Sequence, residues 1–251
     1  WLLPWQGNQA ASFAVFRLPS NPFISLPKPK RSPVHLRWVM LYASGAVVLS
    51  LLAFGLQAAL YGLLWPALAL LWLAAMYGHA DAAAWQKQAT GKHTLAVSLF
   101  ALPLRLMYRA NMAYWLRGKA LSAQVTERIH VGSVLAAPDF HAVVDVCAEY
   151  PLAVMPSYYA TIPMLDMVPA DVAALRAAAD ALHQMLQQQN QPVLVCCALG
   201  YSRSVAVVLV YLLRQGHAHD LQAALKLLQT ARPVMVVSPA NQLQILKAAH
   251  E

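Results

Sequence analysis

Between Trp38 and Ala80 the sequence contains no Lys, Arg, Asp or Glu. Charge is scarce everywhere: 11% of 251 residues, against roughly 25% in ordinary soluble domains. Acids are almost missing before residue 121, where Asp81 stands alone against eleven bases; beyond it, nine acids meet seven bases. This shortage excludes an ordinary soluble domain for the first half of the chain. The net charge of +8 comes from that half. Nucleic-acid binders carry their basic patch on a folded soluble face. Here the bases flank apolar segments, which points to a membrane and away from nucleic acid. Cysteine is also sparse. Cys147, Cys196 and Cys197 are too few for a disulfide framework, so a reduced, cytosolic setting is expected for the soluble part. The nine histidines show no ligand spacing such as HExxH. His79 and Asp81 read as polar residues at a membrane edge, and no metal or cofactor is expected.

The uncharged run covers 43 residues, enough for two membrane helices of about 20 residues each. A break near Gln57 gives spans near Trp38–Leu56 and Leu60–Tyr77. Trp38, Tyr42, Tyr61 and Tyr77 lie towards the span ends, where amphipathic rings favour the interface. Arg31 and Arg37 precede the first span, Lys87 and Lys92 follow the second, and the turn between has no base. Positive flanks stay inside, so the expected location is a multi-pass place in the cell inner membrane, with the C-terminal part cytoplasmic. Residues 1–33 are Pro-rich, carry Lys28, Lys30 and Arg31, and begin at Trp1 rather than Met. They read as a connector with a truncated N-terminus. The spans occupy 34–80 and an amphipathic juxtamembrane linker 81–121. Within it Leu95–Leu104 is too short to span. With Arg105, Arg109, Trp115, Arg117 and Lys119 it reads either as a helix lying on the anionic inner leaflet or as one packed on the soluble domain. Pro103 should bend it.

From Ser122 the pattern becomes α/β. Glu127–Ser133, His141–Glu149 and Ala160–Leu165 read as strands. Pro169–Gln189 is a long Ala-rich helix with Pro169 in its first turn, and Gln191-Pro192 ends it. Val193–Cys196 is a short, buried, β-branched strand. Ser202–Arg214, Asp220–Ala231 and Pro239–Ala249 read as helices. The expected fold is α/β: a central, mostly parallel sheet flanked by helices over 122–251, preceded by a two-helix transmembrane segment.

The chemistry concentrates in Pro192-Val-Leu-Val-Cys-Cys-Ala-Leu-Gly-Tyr-Ser-Arg-Ser204. A buried strand runs into a short loop and the loop into a helix. Loop amides and a helix N-terminus converge there on an anion. Cys197 opens the loop and Arg203 closes it. Ala198, Leu199, Gly200, Tyr201, Ser202 and Arg203 can wrap a phosphate, and the guanidinium fork fits its oxygens. The same amides and positive charge favour the thiolate of Cys197. Gly200 allows a positive φ. Strand alternation sends Cys196 and Cys197 to opposite sides, leaving Cys196 as a small core residue.

These residues, Cys197-Ala-Leu-Gly-Tyr-Ser-Arg203-Ser204, resemble the Cys-x5-Arg-Ser signature loop of the dual-specificity phosphatases, in the cysteine-dependent protein tyrosine phosphatase superfamily. The resemblance covers about residues 122–251. It implies attack by Cys197 on phosphorus, a phosphocysteine intermediate, and a Ser204 hydroxyl that stabilises the departing thiolate. It also implies an Asp general acid some thirty residues upstream. Asp166, in Ile162-Pro-Met-Leu-Asp166, sits at that distance; Asp171 is the rival, with a helix-dipole role as its simpler reading. The family's usual His before the nucleophile is Cys196 here, which puts the depth of thiolate stabilisation in question. Glu149, in Ala148-Glu149-Tyr150-Pro151, resembles the family's loop after the second strand; it either lines the site or is a solvated strand end. Arg232-Pro233 and Ser238-Pro239-Ala240-Asn241 resemble the closing segment and serve packing. The linker is similar to bacterial fusions of a type-2 phosphatidic acid phosphatase domain with such a phosphatase, which makes the two spans the tail of a larger membrane domain. The function expected is a membrane-anchored phosphatase of the bacterial type, acting on a lipid phosphate or a phosphoprotein. The alternative is a catalytically inactive phosphate-binding module, against which Cys197, Arg203, Ser204 and Asp166 together argue. Without a base at 198, 199, 201 or 202, inositol polyphosphates are poor candidates.

Overall fold

The computed structural model describes residues 33–55 and 58–250. The expected connector, apart from its last residue, and the break at Gln57 lie outside the described residues. Helix α1 (Pro33–Gly55) and helix α2 (Leu64–His79) lie against each other, with a 3-10 turn at Ala58–Leu63 before α2. Small residues let them approach: Ala46, Ala53, Ala67 and Ala69 are buried, and Gly45 faces Leu70. The outer surface is apolar too, with Met40, Leu51, Phe54 and Leu68 exposed. Pro33–Gly55 and Tyr61–His79 are each long and apolar enough to cross a membrane.

The linker is more ordered than its composition predicts. Lys87 and His93 pair in a small antiparallel bridge. Helix α3 (Leu95–Phe100) is capped by Thr94, and helix α4 (Leu102–Leu116) restarts at Ala101 with Pro103 in its first turn. Of the two readings of this stretch, packing on the rest of the chain is the one observed. Val97, Ala101 and Leu104 pack with Trp85 and α2, and Met112 and Leu116 pack on the soluble domain. Leu95, Leu99, Leu106 and Tyr114 point outward.

The soluble domain is built on five strands: β1 (Ser122–Gln124), β2 (Ile129–Ser133), β3 (Ala142–Cys147), β4 (Tyr158–Met164) and β5 (Val193–Cys197). Their order is β1-β2-β5-β3-β4. Only β1 is antiparallel to its neighbour. This short edge strand was not foreseen; three residues are too few for a period-2 signal. Helices α5 (Val172–Gln188), α6 (Arg203–Arg214), α7 (Leu221–Ala231) and α8 (Pro239–His250) cover one face. The 3-10 turn Val134–Asp139 and the end of α4 cover the other. The residues of α6 from Arg203 to Leu212 are all buried, so this helix is the central pillar. One boundary is corrected: Pro169 does not start α5. Asp171 is its N-cap, accepting from the N–H groups of Ala173 and Ala174, and the helix begins at Val172.

The reading of Lys87 as a cytoplasmic flanking charge is also corrected. Its side chain is fully buried. Nζ donates to Asp145 Oδ2 at 2.6 Å, to the Cys147 carbonyl at 2.6 Å and to the Tyr150 carbonyl at 2.7 Å. Asp145 also accepts from Tyr159 Oη at 2.9 Å. The charge is therefore neutralised inside the protein, and Lys92 remains as the exposed base of that flank. The same strap holds the chain after β3 at two further points. His93 Nε2 lies 2.9 Å from the Ala148 carbonyl, and the N–H of Leu152 donates to the Gly91 carbonyl at 2.8 Å. Removing one partner of a buried pair strands the other charge, at about 3–5 kcal/mol. Lys87→Ala should lower the stability of the detergent-solubilised full chain by that amount in urea titration. Lys87→Ala combined with Asp145→Asn should lose less than the sum of the two single changes.

Candidate active site

Strand β5 ends at Cys197 and α6 begins at Arg203, so the loop between them is bounded on both sides by buried, hydrogen-bonded elements. Alternation along β5 places Val193, Val195 and Cys197 in the helix-covered core and Leu194 and Cys196 in the opposite one. The two cysteines thus face apart, as expected. Cys196 is enclosed on its own side, where burial and then the Asp145 carboxylate push its thiol well above the ordinary value.

The loop curls because its backbone leaves few alternatives. Gly200 has a φ of +74°, and a Cβ there would lie 2.6 Å from the Gly132 carbonyl oxygen. Only glycine satisfies both conditions. The N–H of Gly200 points at Cys197 Sγ at 3.3 Å, and Ser204 Oγ lies 3.4 Å from the same sulfur. Ser133 Oγ donates to the Ala198 carbonyl at 2.5 Å. Arg232 ties the outer rim: Nε donates to the Gly200 carbonyl at 2.8 Å and Nη2 to the Leu199 carbonyl at 3.0 Å. Its guanidinium also lies over the Tyr201 ring. Asn241 Nδ2 donates to Ser202 Oγ at 3.3 Å. The Ala198, Leu199 and Gly200 carbonyls are thus occupied, while the Gly200 N–H turns towards the sulfur.

Arg203 is 3% exposed. Its Nη1 donates to Glu149 Oε2 at 2.8 Å and to the Met164 carbonyl at 2.9 Å, and its Nη2 donates to Glu149 Oε1 at 2.5 Å. Its Nε makes no hydrogen bond but faces Asp166 Oδ1 at 3.2 Å. Burial alone would raise the Glu149 carboxyl; the adjacent Arg203 outweighs it and holds Glu149 below its ordinary value. Asp166 behaves oppositely. Burial raises its carboxyl above the usual range against the pull of Arg203, and the Glu149 charge adds to the rise. Two carboxylates thus flank one guanidinium, and their surroundings shift them in opposite directions.

Cys197, Ala198, Leu199, Gly200, Tyr201, Ser202, Arg203 and Ser204 therefore share one loop, and Asp166 stands beside Arg203 across from it. Asp171 is occupied in capping α5. Four residues are placed at or behind the loop although the sequence marked them as bland or did not mark them. Glu149 is a buried bidentate partner of Arg203 rather than a solvated strand end. Arg232 hydrogen-bonds the loop rather than merely packing near it. Lys87 and Asp145 brace the segment that carries Glu149. A signal existed for Glu149, a charge set between Ala148 and Tyr150 where an unpaired carboxylate would be costly; Lys87, between Gln86 and Gln88, carried none.

The family model "Dual specificity phosphatase, catalytic domain" matches residues 124–251. No curated protein matches the chain. Among solved structures, human DUSP28 is 22% identical, with 52% of this chain and 93% of that one covered and a TM-score of 0.45. A mouse putative dual specificity phosphatase complexed with zinc tungstate is 26% identical, with 51% and 86% covered and a TM-score of 0.46. PTPMT1 in complex with PI(5)P is 16% identical, with 52% and 95% covered and a TM-score of 0.42.

The rim contacts make Arg232 testable. Arg232→Met keeps the stem and removes the donors, leaving buried carbonyls unpaired at about 1–3 kcal/mol. Vanadate affinity, measured by calorimetry on the full chain in detergent, should fall about tenfold or more. An unchanged affinity would mean the loop holds its shape without this side chain.

Proposed function

The chain belongs to the dual specificity phosphatase catalytic-domain family and is a cysteine-based phosphoric monoester hydrolase, and from that premise we propose that it is a membrane-anchored lipid phosphatase. The catalytic unit is residues 122–251. Residues 34–80 anchor it in the cell inner membrane, residues 81–121 connect the two, and the catalytic unit lies on the cytoplasmic side.

In the first step the Cys197 thiolate attacks phosphorus in line. The S–P bond forms, the P–O bond to the leaving group breaks, and Asp166 gives its proton to the departing oxygen. Loop amides from Ala198 to Ser202 and the Arg203 guanidinium take up charge on the equatorial oxygens. In the second step water attacks the phosphocysteine, the Asp166 carboxylate takes its proton, and the Cys197 thiolate leaves against the Ser204 hydroxyl. Phosphate is released and the acid is restored. The observation that carries this reading is the placement of Arg203 between two carboxyls: Glu149 binds it bidentately, and Asp166 stands 3.2 Å from its Nε beside the loop, with its pKa raised by burial. The Arg203 Nε, which makes no hydrogen bond, is a donor that a phosphate oxygen can use.

The lipid assignment rests on position. The segment carrying Asp166 is bonded to residues of α1 and α2. The outward face of α3 and α4 carries exposed apolar residues, with Arg109 exposed on α4 and Arg117 and Lys119 exposed just after it, as suits an anionic leaflet. Anchoring raises the effective concentration of substrates in the same membrane. A small headgroup suits a loop whose variable positions carry no base.

Phosphate release by the full chain reconstituted in anionic vesicles should be much faster with phosphatidic acid or phosphatidylglycerophosphate than with phosphotyrosine peptides. A preference for peptides under these conditions would overturn the lipid assignment. Cys197→Ser should abolish turnover and keep vanadate-competitive substrate binding, whereas Cys196→Ser should keep most activity. An essential Cys196 beside a dispensable Cys197 would overturn the nucleophile assignment.

The proton donor gives a pH signature. The acid form of Asp166 is needed, and because its pKa is raised that form persists further towards neutrality before being lost as pH rises. The rate on alkyl phosphates should therefore decline on the basic side. Asp166→Asn should remove that decline and cost about 10²–10⁴-fold. An activated aryl phosphate, whose oxygen leaves without a proton, should be cleaved nearly as fast as by the parent enzyme. Equal losses on both substrates would make Asp166 structural.

A further inference from the structure

We propose that Trp38 and Tyr77, on the two membrane helices, are positioning residues for Asp166, so that the anchor forms part of the proton-donating machinery. This rests on the reading of Asp166 as the general acid.

The segment that carries Asp166 has no regular structure of its own, because β4 ends at Met164 and α5 begins at Val172. Its backbone is tied to the helix pair. Tyr77 Oη donates to the Asp166 carbonyl at 3.0 Å, and Trp38 Nε1 donates to the Met167 carbonyl at 3.1 Å. Two successive carbonyls are thus held by donors from two different helices. Met167 has a φ of +59°, a left-handed conformation that a non-glycine residue keeps only where its surroundings enforce it.

The donors are themselves fixed. The rings of Trp38, Tyr42 and Tyr77 pack together, with centroids 5.4 to 6.3 Å apart. Tyr77 is buried, and the residues flanking the acid, Leu165 and Val168, are buried in the same cluster as Leu73 and Met76 of α2. The Asp166 side chain, one-third exposed, projects from this support towards Arg203. A carboxyl must be aimed within a fraction of an ångström to deliver a proton, and a misplacement of about 1 Å can cost roughly 10²-fold. The residues that fix its backbone therefore control the rate of proton transfer.

The test uses the full chain in detergent micelles. Tyr77→Phe keeps the ring, Trp38→Phe keeps an aromatic side chain, and both delete the donor. Each should lower kcat on an alkyl phosphate about tenfold, with KM and the rate on an activated aryl phosphate within twofold of the parent. The double variant should approach Asp166→Asn on both substrates. In an Asp166→Asn background, adding Tyr77→Phe should cause no further loss, because the hydroxyl acts only through the acid. Equal losses on both substrates would mean a merely structural contact and overturn the proposal, as would an unchanged alkyl rate in the double variant. If Asp166→Asn itself fails to discriminate between the substrates, the assignment of the acid falls and this inference falls with it. If it does discriminate and the double variant does not, only the inference fails.

Discussion

A guanidinium buried to 3% exposure is the constraint around which the catalytic end of this protein is built. A charge taken out of water must be compensated on every side or it destabilises the fold. Arg203 therefore draws in Glu149 from the end of β3, the Met164 carbonyl from β4 and Asp166 from the segment beyond. Each partner has to be supported in turn. Glu149 follows Cys147 and Ala148, whose carbonyls accept from Lys87 and approach His93. The segment from Lys87 to His93, the sheet and the signature loop are thus successive shells around a single charge.

That hierarchy explains what could be read from the sequence. The loop from Cys197 to Ser204 was legible because its chemistry is local: eight consecutive residues carry the sulfur, the turn glycine, the cation and the hydroxyl. The main helices and four of the five strands were legible from their periodicity and breakers. Asp166 was pointed to only through the spacing that the family resemblance implies, and it lies beside Arg203. The supporting partners could not, because they meet only through the topology: Glu149 lies 54 residues from Arg203, and Lys87 lies 58 from Asp145. Parallel strand order brings such residues together, and no local pattern announces it. The misreading of Lys87 has the same origin. A base beside an apolar run looks like a topological signal until a partner far along the chain neutralises it.

The linker divides its packing between the helix pair and the sheet. Helices α3 and α4 have one face spent on α2, Trp85 and the sheet and another left apolar and outward. The sheet, the linker and the helix pair share packed side chains. The separation into anchor, tether and catalytic unit that composition suggests is therefore a division of sequence more than of structure.

The disposition of the cysteines along β5 bears on oxidative chemistry. A catalytic thiolate oxidised to a sulfenic acid escapes further damage when a second thiol condenses with it. This chain has three cysteines, and Cys147 and Cys196 both lie in the core on the opposite face of the sheet from Cys197. Pairing with either would require the central strand to rotate within a sheet bonded on both edges. Neither Cys147 nor Cys196 is therefore placed to form a disulfide with Cys197 in this fold.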